Sequence, residues 1–183
     1  MILGRFAKNK RHSITITSKS GLYARKLPLF TLPLVNSIRK ILSDGRETIV
    51  PNESAPKFGV FDKKKLQSDI DSSLKSMCTD YIDFFMLHEA SVSSANRSDL
   101  IEVLQNAQAA GKIRYFGVAS HHLNLKNDID SLNQCYDVIQ HNNPLKFGNS
   151  FFDENNTNDR LRIIYNIFSE LNHLKISKDY SEL

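Results

Sequence analysis

The run Tyr81-Ile-Asp-Phe-Phe-Met-Leu87 decides the fold, because a short and nearly continuous apolar stretch is typical of a strand buried on both faces. Upstream of this run, Asp62 can cap a helix whose apolar residues recur at helical spacing. Those residues are Leu66, Ile70, Leu74 and Met77. A helix that leads directly into a buried strand predicts an α/β protein.

A second helix and a second strand follow. Ser98 is the predicted N-cap of this helix, Asp99 and Glu102 lie in its positive first turn, and Gly111 stands just past its end. The segment from Ile113 to Val118 then predicts another buried strand.

Farther along the chain, the pattern predicts two helices and one strand. A helix around Leu125, Ile129 and Leu132 leads into a strand from Tyr136 to Ile139. A last helix, at about 159–173, carries apolar residues at helical spacing, namely Leu161, Ile164, Phe168 and Leu171.

Upstream, alternating β-branched residues from Ser13 to Ser18 predict a strand. Residues 20–60 contain every proline except Pro144 and predict a long loop, with a short helix from Leu34 to Leu42 inside it. Long loops in compact domains are usually functional or mobile.

Strands that alternate with helices are parallel, with the helices packed outside the sheet. Two architectures have this pattern, the doubly wound sheet and the (β/α)8 TIM barrel. About four strands are predicted, so a barrel would be partial. We expect residues 1–183 to form one incomplete domain.

Polar residues stand at the C-terminal ends of the four predicted strands. They are Lys19, His88-Glu89, Ser120-His121-His122 and Gln140-His141-Asn142. In a β/α barrel, the strand C-termini and the loops after them build the active site. The pattern favours one shared site at this rim, although polar residues also occur wherever strands reach solvent.

Several classes of site are disfavoured by missing motifs. The chain has no G-x-G-x-x-G or G-x-x-x-x-G-K-[ST] loop for phosphates and no G-x-S-x-G nucleophile elbow. A metal site built from His88, His121, His122 and His141 remains an alternative and would indicate a metal-dependent barrel hydrolase. The sequence has no H-x-H pair, and we predict no metal.

Composition is that of an ordinary globular protein, with 40% hydrophobic and 24% charged residues. Residues 1–46 hold ten Lys and Arg against Asp44 alone, within a total charge of +4. We interpret this arm as a solvated face and expect neither a nucleic-acid nor a membrane partner. Without a signal peptide or C-x-x-C spacing, we expect a cytoplasmic protein in which Cys78 and Cys135 are reduced.

Two long segments resemble the signatures of the aldo-keto reductase family. Asp71-Ser-Ser-Leu-Lys-Ser-Met-Cys-Thr-Asp-Tyr-Ile-Asp-Phe-Phe-Met-Leu-His88 is similar to the family's "SL-x-x-L" helix end followed by "DYIDL-x-x-x-H". Ala110-Gly-Lys-Ile-Arg-Tyr-Phe-Gly-Val-Ala-Ser120 resembles "GKIRYIGVSN". Ile14-Thr-Ile-Thr-Ser-Lys19 and Val138-Ile-Gln140 resemble two further strands, "I-x-I-x-TK" and "VQ-x-x-YN". The resemblance covers residues 2–142, and 143–183 diverge.

The resemblance implies an eight-stranded barrel that transfers hydride from NADPH to an aldehyde or ketone. In such enzymes a tyrosine is the general acid, a lysine paired with an aspartate lowers its pKa, and a histidine orients the carbonyl. By position, Lys19 matches the lysine and His88 the histidine. Ser120 and Gln140 match the residues that bind the nicotinamide carboxamide, whereas Ala119 replaces the family's other amide-binding serine.

The same resemblance implies that the family's aspartate and tyrosine precede the helix matched by Leu3 to Lys10. We therefore expect both to be missing and the chain to be catalytically incomplete on its own. Tyr23 lies on the wrong loop to replace the acid. Tyr180 resembles a family tyrosine that stacks on nicotinamide.

Four parallel strands cannot close a barrel, and an open sheet leaves two hydrogen-bonding edges. The chain could be the remnant of a broken gene, could self-associate through these edges, or could cover an edge with residues 20–60. The functional alternatives are accordingly a carbonyl reductase by descent or a non-enzymatic half-barrel that binds other proteins.

Overall fold

A computed structural model describes residues 2–23, 57–125, 128–142 and 160–166. In these residues, five parallel strands form one sheet in chain order. They are β1 (Thr17–Ser20), β2 (Ile82–His88), β3 (Ile113–Ser120), β4 (Val138–Asn142) and β5 (Leu161–Tyr165). The predicted parallel α/β sheet is confirmed, with five strands instead of about four.

Helices connect the strands. They are α1 (Ile2–Ala7), α2 (Lys63–Met77), α3 (Val92–Ala95), α4 (Ser98–Ala109) and α5 (His122–Leu125), with 3-10 turns at Arg11–Ser13 and Ile129–Ser131. Within the described ranges, no helix is long and apolar enough to cross a membrane. The predicted helix from Leu34 to Leu42 lies outside the described residues.

Helix α2 has the predicted cap and buried face. The Asp62 side chain accepts a hydrogen bond from the Lys65 backbone N–H at 3.0 Å. Leu66, Ile70 and Met77 are buried against the sheet. These are the apolar positions from which the helix was predicted, so local capping and burial favour the same structure.

Helix α4 begins at Ser98, but the predicted Ser98 N-cap is wrong. Arg97 is the cap residue, in an extended conformation, and no side chain caps the helix. The Arg97 guanidinium instead binds Asp99 at 2.7 Å, so charge in the first turn replaces a hydroxyl cap. At the other end, Gly111 has a φ of 71°, which agrees with its predicted place past the helix.

The predicted helix at 159–173 is wrong in its described part, because β5 occupies Leu161–Tyr165 and pairs with β4. The spacing of Leu161 and Ile164 fits a helix, yet the run Leu-Arg-Ile-Ile-Tyr consists largely of strand-forming residues. Pairing with β4 also satisfies backbone groups that a helix would leave unpaired on that neighbouring strand.

Other boundaries also differ from prediction. In the described part of the helix predicted around Leu125, Ile129 and Leu132, α5 spans His122–Leu125 and a 3-10 turn spans Ile129–Ser131. Strand β1 begins later than the predicted Ser13, after the 3-10 turn. Strand β4 begins at Val138, later than the predicted Tyr136, whose hydroxyl donates to the Ala95 carbonyl oxygen at 2.6 Å.

The two faces of the sheet carry different cores. The helices cover a large apolar cluster that includes Phe85, Leu87, Phe116 and Val118. The opposite face carries a small cluster of Met86, Ala119 and Val138, with Phe84 and Ile163 packed against it. In a β/α barrel this second face would be the interior of the barrel.

Candidate functional site

Three of the four predicted site residues share the face opposite the helices. Lys19 is in register with Met86, and His88 is in register with Ala119, which is in register with Gln140. Since residues in register on neighbouring parallel strands project from the same face, these side chains approach one rim. His88 and Gln140 are separated by two strand spacings, or about 10 Å.

Ser120 lies on the other face. It is in register with His141, is 1% exposed, and shares a hydrogen bond with the Asn124 side chain at 3.1 Å. Ser120 therefore packs among the helices and loops, and the structure does not bring it together with Lys19, His88 and Gln140.

The charge of Lys19 acts on His88. The pKa of His88 is lowered, first by desolvation and then by the positive charge of Lys19. The pKa of Lys19 is lowered by partial desolvation, although its side chain keeps an exposed surface. Both groups also feel the negative charge of Glu89, which raises each pKa. A neutral imidazole and a nearby ammonium group can both donate to one oxygen.

Gln140 has an unused acceptor. Its Oε1 atom is buried and has no hydrogen-bond partner among the described residues. A buried and unpaired polar atom is costly, so such atoms often mark a place where a ligand binds. Beside it, Ala119 is 2% exposed and offers only a methyl group. At this level of the sheet, Gln140 therefore offers a side-chain amide oxygen to a ligand, and its neighbour Ala119 is small and apolar.

The other rim histidines form internal contacts. The Asn142 side chain lies between them, with its Oδ1 atom accepting from the His122 backbone N–H at 2.8 Å and its Nδ2 atom 2.9 Å from His121 Nε2. His141 is 1% exposed, and its Nδ1 atom is 2.9 Å from the Asn142 carbonyl oxygen. In the part of the chain that the structure describes, no three His, Cys, Asp or Glu residues are grouped to hold a metal.

An open cavity of about 540 Å³ lies at the rim, lined by Phe58, His88, Glu89 and Asn124. The Phe58 ring meets the His88 ring edge to face at a centroid distance of 5.5 Å. The cavity thus combines an aromatic wall with an imidazole, an amide and a carboxylate. This combination of groups can bind a small polar molecule and exchange hydrogen bonds with it.

Tyr165 is a rim residue that sequence reasoning missed. It ends β5 and is in register with Asn142, two residues beyond Gln140 and therefore on the Gln140 face. Desolvation and the charge of Glu89 raise the pKa of its hydroxyl. Assigning residues 159–173 to a helix hid it, although the β-branched pair before Tyr165 was a signal for a strand.

Comparison with known families identifies the chain's relatives. The sequence model of the Aldo/keto reductase family matches residues 1–146, which is more than half of the chain. No curated protein matches in sequence.

Two solved structures from Pseudomonas aeruginosa, each described as an aldo-keto reductase, have a similar fold. Their TM-scores are 0.55 and 0.52, with sequence identities of 16% and 17%. The matched region covers 79% of this chain in both comparisons, but only 46% and 45% of those chains. This chain thus spans less than half of their length, and the likeness concerns the fold.

The fold comparisons confirm a partial β/α barrel, and the family model agrees with the two long signatures at residues 71–88 and 110–120. The chain belongs to the aldo/keto reductase family.

Proposed function

We propose that this chain carries part of an NADPH-dependent site that reduces an aldehyde or ketone, with Lys19 and His88 at the carbonyl oxygen. The observation that supports it most is the register of the strands, in which Lys19 and His88 end on the same face at one rim; in addition, the charge of Lys19 lowers the pKa of His88. Hydride transfer to a carbonyl produces an alkoxide, which needs a hydrogen-bond donor and nearby positive charge. His88 supplies the donor and Lys19 the charge.

Gln140 is the proposed contact for the nicotinamide carboxamide. Its buried Oε1 atom lacks a partner in the described residues and can accept an amide N–H, so the residues present fit the cofactor. Tyr165, on the same face, is the stacking surface we propose; Tyr180 lies outside the described residues. NADPH, when bound, would supply the hydride. Ser120 stays a proposed contact that needs a rearrangement, because it is buried on the opposite face.

None of the described tyrosines is placed to act as the family's general acid. Tyr165 has a raised pKa, which is opposite to the change an acid requires, and Tyr136 is buried with its hydroxyl bound to Ala95. Tyr81 lies under two arginines, and Tyr115 is stacked on Phe84. Tyr23 is 51% exposed, and its backbone is bridged to Lys57. We therefore propose that these residues bind and orient, and that reduction requires an acid from elsewhere.

Titration with NADPH tests the cofactor part of this proposal. We expect saturable quenching or enhancement of NADPH fluorescence, weakened about tenfold in Gln140→Leu, since one lost buried hydrogen bond is worth about 1 kcal/mol or more. Gln67→Leu, an exposed substitution of the same kind on α2, is the matched control and should bind like the wild type. Absence of binding at millimolar NADPH would rule out a reductase role.

A second candidate function is that of a non-enzymatic half-barrel that binds another protein or a second copy. The observation that favours it is the exposed edge strand β5, where Leu161 is 50% and Ile164 is 43% exposed. Sedimentation velocity over a wide concentration range tests this candidate. If the chain is a monomer at every concentration and binds NADPH saturably, the half-barrel candidate is excluded and the reductase proposal is the one that survives.

A further inference from the structure

The residue directly after His88 has an uncommon backbone conformation. Glu89 has a φ of 54°, a left-handed value that costs a residue with a side chain about 1–2 kcal/mol. Its N–H donates to the Ala119 carbonyl oxygen at 2.7 Å. Its own carbonyl oxygen lies so close to Gly59 that a Cβ there would be 2.7 Å away. Contacts on both sides thus hold the backbone of Glu89 in this conformation.

The carboxylate of Glu89 is held at the rim as well. Its Oε2 atom accepts from the His121 backbone N–H at 3.4 Å and from the Asn124 side chain at 3.3 Å. Its Oε1 atom lies 3.9 Å from His88 Nε2, and the carboxylate lines the same cavity. Glu89 is only 29% exposed in its side chain, so water screens its charge incompletely.

Titratable groups of three strands interact electrostatically with this carboxylate. They are Lys19 of β1, His88 of β2 and Tyr165 of β5, while the His121 backbone N–H after β3 donates to it. Glu89 raises the pKa of Lys19, His88 and Tyr165 alike. Among the described carboxylates, Glu89 is the one that acts on both Lys19 and His88.

We propose that Glu89 is the positioning carboxylate of this rim, whose charge beside the His88 ring favours the orientation in which His88 faces the carbonyl. The inference rests on the proposed function, because it assigns Lys19 and His88 to a carbonyl oxygen. Glu89 acts through the His88 side chain and does not itself touch the reacting atoms.

The test is an NMR titration of the His88 ring in the full chain. In Glu89→Gln the His88 midpoint should move to lower pH, because a charge that favours the imidazolium has been removed while shape is kept. Glu102→Gln, which removes an exposed carboxylate paired with Lys63, is the matched control and should leave the midpoint in place. An unchanged midpoint in folded Glu89→Gln would overturn the proposal.

A further variant separates charge from packing. Glu89→Asp retains the charge and should keep the midpoint closer to the wild-type value than Glu89→Gln does; an equal shift in both variants would overturn the proposal. If Glu89→Gln does not fold, Glu89→Asp tests the same contact, because the shorter side chain withdraws the carboxylate from His88 Nε2 and should move the midpoint part of the way to lower pH. An unchanged midpoint in folded Glu89→Asp would then contradict the proposal.

NADPH titration of the same variants keeps this inference distinct from the proposed function. If the wild-type chain does not bind NADPH, the reductase proposal is contradicted at any value of the His88 midpoint. If NADPH binds normally but the His88 midpoint is the same in the wild type and in Glu89→Gln, only the role assigned to Glu89 is contradicted.

Discussion

Asp83 is the residue on which we expect stability to depend most. It lies near the N-terminal end of β2, where its carboxylate contacts Arg11 at 2.7 Å and Arg114 at 3.0 Å and accepts from the Ile16 N–H at 2.9 Å. Both guanidinium groups also lie over the Tyr81 ring, 3.7 and 4.0 Å from its centroid. One buried carboxylate thus joins β1, β2 and β3 at the end opposite the candidate site.

Asp83→Asn should destabilise the chain by about 3 kcal/mol, because the Arg11 side chain, only 12% exposed, keeps its charge and loses its counter-ion. Urea denaturation followed by circular dichroism measures the change. Glu102→Gln is the control and should cost less than about 1 kcal/mol, since solvent screens its exposed pair with Lys63. Equal losses in the two variants would show that burial does not strengthen the Asp83 cluster.

His141 should make stability depend on pH. Burial lowers the pKa of His141 in the folded chain, so the unfolded chain binds its proton more readily. The contribution of neutral His141 to the stability of the folded chain is therefore complete above the ordinary histidine pKa. It is lost as the pH falls below that pKa toward the lower pKa of the folded chain. His141→Gln should flatten the decline in denaturation midpoint between about pH 7.5 and 5, around the ordinary histidine value. His12→Gln, at an exposed histidine, should keep the wild-type slope.

At the scale of the elements, the contact of β3 with β4 depends on a glycine. A Cβ on Gly117 would overlap the Val138 carbonyl oxygen, which belongs to the backbone of β4 and cannot rotate away. Gly111, past the end of α4, has open space around a Cβ but a φ of 71°. The two glycines are needed for different reasons, close approach in one and backbone conformation in the other.

Gly117→Ala should therefore cost more than Gly111→Ala. We expect about 1 kcal/mol for the strained backbone at Gly111 and about 3 kcal/mol for the displaced strand at Gly117. Thermal and urea denaturation of both variants give the comparison. If Gly117→Ala proved the milder change, Gly117 and the backbone of Val138 would have to be farther apart than they are in the structure.

The elements that could be predicted from sequence are those whose local signals and burial agree. Helix α2 has a capping Asp62 and a regular apolar face, and β2 is a continuous apolar run. At residues 161–165 the apolar spacing fits a helix, yet the free edge of β4 offers backbone partners. Such a nonlocal gain is invisible to periodicity, which is why β5 was mistaken for helix.

For the whole molecule, parallel topology explains how much of the candidate site could be predicted. Once the strands are known to be parallel, Lys19, His88 and Gln140 must end at one rim, and the register agrees. Successive side chains of a strand point to opposite faces of the sheet, so a change of one position in the strand alignment moves a residue to the other face. The face on which Ser120 lies could therefore not be predicted from the sequence. The electrostatic effect of Glu89 on Tyr165 depends on β5, which sequence periodicity did not predict.

Protection against amide exchange should fall from the centre of the sheet toward β5. Strands β2 and β3 are bonded on both sides and mostly buried, whereas β5 has one described neighbour and an exposed apolar surface. Hydrogen exchange monitored by mass spectrometry at low protein concentration should therefore show the slowest exchange in β2 and β3.

Repeating the measurement at high concentration shows whether the β5 edge pairs with a second molecule. Slower exchange confined to β5 would indicate association through that edge, since a second molecule pairing there satisfies the same amides. Protection of β5 equal to that of β3 even in dilute solution would contradict an open edge, because some other part of the chain would then have to cover it.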